Sequence, residues 1–455
     1  MIGVRSRLGD RMLRTTIFII CGFTALALLG GLLLALPAAS VGEPLWLLDA
    51  FFTSTSAVCV TGLIVVDTAT VFTPFGQIVI LALIQLGGLG IISFSAIVLL
   101  MLGRRISLVQ HDALRRHRIG IEMRLDTKSI AKRIVALVAF AEFAGTAALW
   151  FAFLRYFPWE IALYHAAFQS VSAFCNAGFS TFSTSLTTFA GDAFLLLPMM
   201  ILIVLGGIGF VVVIDLEERL RSGGPLTLQT RLVLWTTLVL LAVGAVLFFL
   251  LESGNAMAGR PPGERLLSSL FHSVTCRTAG FNTVEYLDLS NATLVLTMVL
   301  MTIGGSPASA AGGVKTTTAA IIFLAAWARL RGERDPVFGN RTVAGRSVIE
   351  AVTLTLLAVM VIMTLALVLQ MTELGSASHP ERRGAFLELS FEAVSAFGTV
   401  GLSTGATPGL SPAGKLLIIF TMLVGRLGPL TFFSLLGGFL RAPKYRLYTE
   451  SVMVG

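Results

Sequence analysis

The stretch from Phe391 to Leu402, FEAVSAFGTVGL, decides the architecture, because its pattern occurs three more times in the chain. Residues 52–63 read FTSTSAVCVTGL, residues 168–179 FQSVSAFCNAGF and residues 271–281 FHSVTCRTAGF. In each copy a Phe opens a half-apolar run, a Ser or Thr stands near its middle, and one glycine closes it: Gly62, Gly178, Gly280 or Gly401. These glycines are 116, 102 and 121 residues apart, which leaves room for one larger structural unit per copy.

The flanks say what the unit is. Each copy lies between long apolar runs, over residues 15–36, 75–102, 134–154, 193–214, 232–251, 292–327, 348–371 and 416–440. A helix needs about 20 apolar residues to cross a bilayer core. The 455 residues are 55% hydrophobic and 13% charged, about half the usual charged share of a soluble protein, and mean hydropathy is +0.87. This balance excludes a soluble enzyme, a disordered chain and a disulfide-built secreted domain. Cys21, Cys59, Cys175 and Cys276 lie in or beside apolar segments without metal-ligand spacing. The first run follows four arginines but is longer than a signal-peptide core, so it reads as a retained span.

Eight spans put both termini on one side. Segments 1–14, 103–133, 215–231, 328–347 and 441–455 hold 24 of the 33 Lys and Arg. The bias assigns them to the cytoplasm, as an N-terminal arm, a basic linker, two further linkers and a C-terminal tail. The fold class expected is an all-α polytopic membrane protein with pseudo-fourfold symmetry around one pore. Its repeats occupy 15–102, 134–214, 232–327 and 348–440.

Within each repeat the glycine motif is too short to cross, so it enters the membrane and returns. Non-helical backbone at that depth must be buried in protein or line water, and four equivalent loops meet on a shared axis. Glycine permits φ > 0 there, which lets successive carbonyl oxygens point inward and replace the water around a cation. The candidate filter is Val60, Thr61, Gly62; Asn176, Ala177, Gly178; Thr278, Ala279, Gly280; and Thr399, Val400, Gly401. None is acidic, which suits a monovalent ion. The competing reading is helix-packing glycines; the shared phase of four copies weighs against it. Glu43, Asp49, Asp67, Glu285 and Asp288 are expected to make the outer mouth acidic and concentrate cations.

The sixth run, 292–327, would be about 54 Å long as one helix. Its middle holds Gly304, Gly305, Ser306, Pro307, Gly312 and Gly313, and glycines and proline cost roughly 1 and 3 kcal/mol each in a helix. A break over 304–313 is expected, with exposed backbone lining the cavity below the filter. It is the one run expected to be strongly broken. Arg426 is a lone cation in the last span, and such residues usually face a cavity or a partner. It is expected to hold the loop by hydrogen bonds to carbonyls. Lys315 lies nearer the inner mouth and reads equally as part of the gate or as a residue reaching the interface. Glu392 is read as pairing with Arg277 or drawing cations to the outer mouth, and Glu142 as bonding a neighbouring helix. The glycine clusters 87–90 and 206–209 read as close packing of inner helices.

These residues resemble the Trk, Ktr and HKT superfamily of K⁺ transporters. The matches are 278–282 (TAGFN), 396–403 (AFGTVGLS) and 425–431 (GRLGPLT), together with one filter glycine per repeat. Eight spans without an additional N-terminal pair look most like the membrane subunits of bacterial Ktr systems (the KtrB branch). The resemblance implies K⁺ uptake across a bacterial plasma membrane through the filter, driven by membrane potential, with 304–313 as an intramembrane gating loop. It also implies a homodimer, a cytoplasmic ring of KtrA-like nucleotide-binding regulatory subunits, and stimulation by Na⁺. No copy carries the two glycines and Tyr of a K⁺-channel TVGYG filter, so a real but less strict K⁺ preference is expected. No cofactor or nucleotide site is expected in this chain, since the GxxxxGK match over 409–415 lacks the following Ser or Thr. A carrier of organic solutes would need inverted repeats, and a membrane enzyme would need a clustered catalytic constellation. The sequence has neither.

Overall fold

The computed structural model describes residues 17, 20–101, 127–375 and 384–428. The expected N-terminal arm, most of the basic linker, Arg382 and Arg383, the second half of the last apolar run and the C-terminal tail lie outside the described residues. Among the described residues, regular structure is almost all helix. A first unit comprises α1 (Ile20–Leu34), the short α2 (Leu47–Val58) and α3 (Pro74–Met101). The second comprises α4 (Thr127–Phe153), α5 (Trp159–Phe174), α6 (Ala193–Ile208) and α7 (Phe210–Ser222). The third is α8 (Leu228–Glu252), α9 (Pro262–Thr275), α10 (Asn291–Thr302) and α11 (Thr316–Leu330). After a two-stranded antiparallel hairpin, β1 (Val337–Phe338) with β2 (Arg341–Thr342), come α12 (Gly345–Leu374), α13 (Ala385–Gly398) and α14 (Pro412–Leu427).

The helix that follows each motif starts with the same device. A side-chain oxygen accepts from a first-turn N–H: Thr73 from Gly76, Asp192 from Phe194, Ser290 from Thr293 and Ser411 from Gly414. Such caps satisfy backbone donors that have no partner inside the helix. The Phe that opens each motif, Phe52, Phe168, Phe271 or Phe391, is fully buried in the core. Packing then runs in a circle. The helices α3, α6, α10 and α14 each lie against the short helix of the next unit, namely α5, α9, α13 and α2. The fourth unit therefore closes onto the first. At that joint the Lys415 ammonium meets the Asp49 carboxylate at 2.7 Å and lies over the Trp46 ring.

By length and apolarity, Lys132–Phe153, Leu228–Glu252 and Gly345–Leu374 are each sufficient to cross a membrane among the described residues. The α6–α7 pair makes a fourth, but it bends by 97° at Gly209. The expectation of an unbroken run over 193–214 is thus corrected. Gly209 takes φ 90°, which lets the chain turn where a residue with a Cβ would be strained. The sixth run divides as the glycines and proline require: α10 stops at Thr302 and α11 resumes at Thr316.

Candidate ion pathway

The four motif glycines meet. A methyl group added at Gly62 would strike the Ala177 carbonyl and lie 3.0 Å from Gly178 Cα. One on Gly178 would lie 2.9 Å from Gly280 Cα, one on Gly280 would lie 2.6 Å from the Val400 oxygen, and one on Gly401 would strike the Thr61 carbonyl. Each glycine thus abuts the next and the last abuts the first, so backbone from all four units encircles one centre. No room exists for a side chain at any of the four positions.

The conformation ahead of each glycine was not legible in the sequence. Val60, Asn176, Thr278 and Thr399 have φ of 55°, 59°, 72° and 49°, and the glycines two residues later are also left-handed, at 91°, 72°, 78° and 89°. Alternation of left- and right-handed residues turns successive carbonyls toward the same side, whereas a uniform strand points them alternately. Non-glycine residues reach this region only when their surroundings enforce it. Here the enforcement is the same in all four units. The N–H of the residue before the glycine donates to the carbonyl of the mid-motif hydroxyl residue: Thr61 to Ser56, Ala177 to Ser172, Ala279 to Thr275 and Val400 to Ser395, at 2.7–2.9 Å.

The hydroxyls complete the clamp in two ways. Ser56 and Ser395 accept from the glycine N–H, both at 3.1 Å. Ser172 and Thr275 donate to the carbonyl after the glycine, on Phe179 and Phe281, at 2.7 and 2.6 Å. With the N–H groups engaged outward, the carbonyls of Val60–Gly62, Asn176–Gly178, Thr278–Gly280 and Thr399–Gly401 accept no hydrogen bond from any described residue. Buried carbonyls are almost always paired, so this ring of oxygens has acceptor capacity that a cation would satisfy. The C-terminal ends of α2, α5, α9 and α13 all lead into it, and each such end carries about half a negative charge.

Above the ring lies a cavity of about 280 Å³ whose walls include all four glycines together with Asp67, Glu285, Ser180, Asn282 and Ser403. Burial, and secondarily the neighbouring Asp288, hold the Glu285 carboxyl above its ordinary range. The expected acidic mouth is corrected in part: Asp67 and Glu285 face the cavity, whereas Asp49 is occupied by Lys415. Glu392 does not line the cavity and does not pair with Arg277. Its carboxylate accepts from Ser403, Thr404 and Thr407, tying the segment after Gly401 to α13. Glu142 does bond a neighbouring helix, accepting from Gln85 Nε2 at 3.0 Å.

Below the ring sits the loop between α10 and α11. A methyl on Gly312 would strike Thr399 Oγ1, and one on Gly304 would lie 3.3 Å from Thr278 Cγ2, so the loop presses on the underside of the ring. It is pinned on several sides. Ser306 N and Ala310 N donate to the carbonyls of Gly207 and Gly206 on α6, at 2.9 and 3.2 Å. Phe210 N, at the start of α7, donates to Ala308 O at 3.1 Å. Ser306 Oγ lies 3.0 Å from Thr316 Oγ1. The buried Arg426 donates through Nη1 to Ala310 O and through Nη2 to Gly87 O at 3.3 Å, linking α14, the loop and α3. Lys315 Nζ donates to Ala311 O at 2.7 Å, so it faces the loop. Gly305 and Ser306 are buried within the loop, half-buried Pro307 lies beside α6, and Gly313 turns at φ 66°.

The glycine clusters in α3 and α6 act through close approach. A methyl on Gly87, Gly206 or Gly425 would strike the carbonyl of Val58, Phe174 or Phe397 respectively, at the end of a short helix. Among the described residues no group of three or more metal-ligating side chains exists.

Comparisons with known proteins give the family. The model of the TrkH family, described as a cation transport protein, matches residues 12–436. The chain is 38% identical to the Ktr system potassium uptake protein B of Vibrio alginolyticus, over 91% of this chain and 89% of that protein. It is also 38% identical to the potassium/sodium uptake protein NtpJ of Enterococcus hirae, over 99% and 98%. Among solved structures, the potassium transporter TrkH from Vibrio parahaemolyticus shares the fold, with a TM-score of 0.73, 21% identity, and 94% and 85% coverage of the two chains. A closed ring of backbone carbonyls in a helical membrane protein, and relatives matched along nearly their whole length, lead to one conclusion: the chain belongs to the TrkH family of cation transporters.

Proposed function

We propose that this chain carries K⁺ into a bacterial cell through the carbonyl ring, down the membrane potential. The observation that carries the reading is the ring itself: four segments, each with two left-handed residues, clamped so that their free carbonyls surround one centre. A dehydrated monovalent cation is the ligand such neutral oxygens suit. The names of the Ktr and NtpJ relatives favour potassium among the alkali metals, and the second of these names brings in Na⁺, as a co-transported ion or as an activator. At about 2.3 kcal/mol per 100 mV, the potential alone supports roughly 50-fold accumulation, so no hydrolysis by this chain is needed.

The architecture that goes with this reading is eight membrane crossings in four helix–short helix–helix units, with both termini in the cytoplasm of a bacterium. Loop 304–313 is the gate, since it occupies the route directly below the ring. Arg426 and Lys315 are its fastenings and add a positive barrier to its underside. Opening is assigned to partners that bind at the cytoplasmic linkers: a KtrA-like nucleotide-binding ring acting on a homodimer of this chain. The "system" in the Ktr relatives' names supports such partners.

Growth of a K⁺-uptake-deficient bacterium on low K⁺, with and without a regulatory subunit, tests the function. Rescue by the wild-type chain and its loss in Gly280→Asp and Gly401→Asp are expected. Rescue that persists in both variants refutes the filter assignment.

A further inference from the structure

Arg277 is the residue that this mechanism leaves unused. It lies in the third motif, immediately before left-handed Thr278, and is 7% exposed. Its Nε is buried without a hydrogen-bond partner. Among the described residues no carboxylate pairs with it and no carbonyl accepts from its guanidinium. The side chain borders a narrow groove of about 10 Å³ whose other walls are Ile203, Val204, Gly207 and Val274. That space holds about one water molecule, which can accept a hydrogen bond but cannot cancel a charge.

The other three motifs carry Cys59, Cys175 and Gly398 at this place, three residues before the glycine. All are neutral. The end of α9, capped by Cys276, is therefore followed at once by a full positive charge within its own motif, which no other short helix carries. A cation within the last turn offsets the partial negative charge of a helix C-terminus. The hold of this helix end on an ion in the ring is thereby weakened.

Resting on the reading of the ring as the cation site, we propose that Arg277 is an affinity-setting residue that never touches the ion: its unpaired charge behind Thr278 makes the site shallow, so that a bound cation is released quickly. The chemistry is a trade-off. A deeper well fills at lower outside concentration but empties more slowly, and conduction requires both entry and exit.

The experiment measures initial Rb⁺ and K⁺ uptake by proteoliposomes of the full chain with a regulatory subunit against outside concentration. Arg277→Met removes the charge and keeps an unbranched side chain. Its KM should fall on the order of tenfold, with the maximal rate falling alongside. Arg277→Lys keeps a charge and should stay near wild type. A second route leaves Arg277 in place: Val204→Glu, on the half-buried wall of the same groove, supplies the missing carboxylate and should shift KM in the same direction. This variant carries the test if Arg277→Met does not assemble. A merely structural role would raise KM or lower the maximal rate alone. Unchanged or raised KM in both neutralising variants overturns the proposal. Wild-type vesicles that accumulate neither ion with the regulatory subunit present instead overturn the transport reading beneath it.

Discussion

Replacing Arg426 with methionine is expected to open the gate. The guanidinium bridges three elements: it is carried on α14, donates to Ala310 O in the loop and donates to Gly87 O on α3. Methionine fills similar length without charge, so no unpaired partner charge is left behind. A hydrogen bond from a charged donor contributes about 1.5–3 kcal/mol, and 1.4 kcal/mol is a tenfold change in an equilibrium. Loss of the loop-holding bond therefore shifts the closed–open balance by about tenfold to a hundredfold. The remaining contacts, to Gly206 and Gly207 through Ala310 N and Ser306 N, limit the effect to a partial opening. The assay is basal Rb⁺ flux into proteoliposomes without a regulatory subunit, with the K⁺/Na⁺ ratio measured in parallel because the ring above is untouched. Arg426→Lys keeps one charge but cannot span both carbonyls in a fork, so an intermediate flux is expected. Basal flux unchanged in Arg426→Met, at an unchanged ion ratio, would refute the latch.

Other outcomes follow from the same geometry. Gly401→Ala places a methyl against the Thr61 carbonyl and forces φ 89° on a residue with a Cβ, so uptake should drop at least about tenfold, measured at saturating K⁺. Ser395→Ala removes the acceptor of the Gly401 N–H, a loss of about 1 kcal/mol, and should lower the K⁺/Na⁺ preference in paired ion fluxes while uptake persists. Glu285 loses its negative charge at a higher pH than an ordinary glutamate, because burial and Asp288 raise its carboxyl. As pH falls below neutral, uptake at low K⁺ should decline, and Glu285→Gln should flatten that decline in a pH–rate series. The Asp49–Lys415 pair is nearly buried, so Asp49→Asn alone should destabilise the fold by about 3 kcal/mol. The double change with Lys415→Met should recover most of that in thermal unfolding in detergent.

The sequence by itself determined that the chain repeats one unit four times, that it belongs in a lipid phase, and that the sixth apolar run must break. These are local properties: counted apolar residues, a recurring motif, and glycines and a proline where a helix cannot tolerate them. It also singled out Arg426, because a lone charge among apolar neighbours needs a partner wherever the chain goes. Tertiary structure alone decided which partner. The bond to Ala310 crosses 116 residues and the bond to Gly87 crosses 339, distances over which no periodicity carries information. The same holds for Asp49, whose charge reads as belonging to the outer mouth until Lys415 is found against it, and for Glu392, absorbed by three hydroxyl residues of the segment that follows Gly401. The bend at Gly209 escaped because α6 and α7 read as one apolar run; only the approach of the Pro307 and Ala308 carbonyls makes a glycine with φ 90° the residue that fits. Composition can demand that a polar or flexible residue be accommodated, but the accommodation is a contact between distant segments, and that is settled only when the whole chain packs.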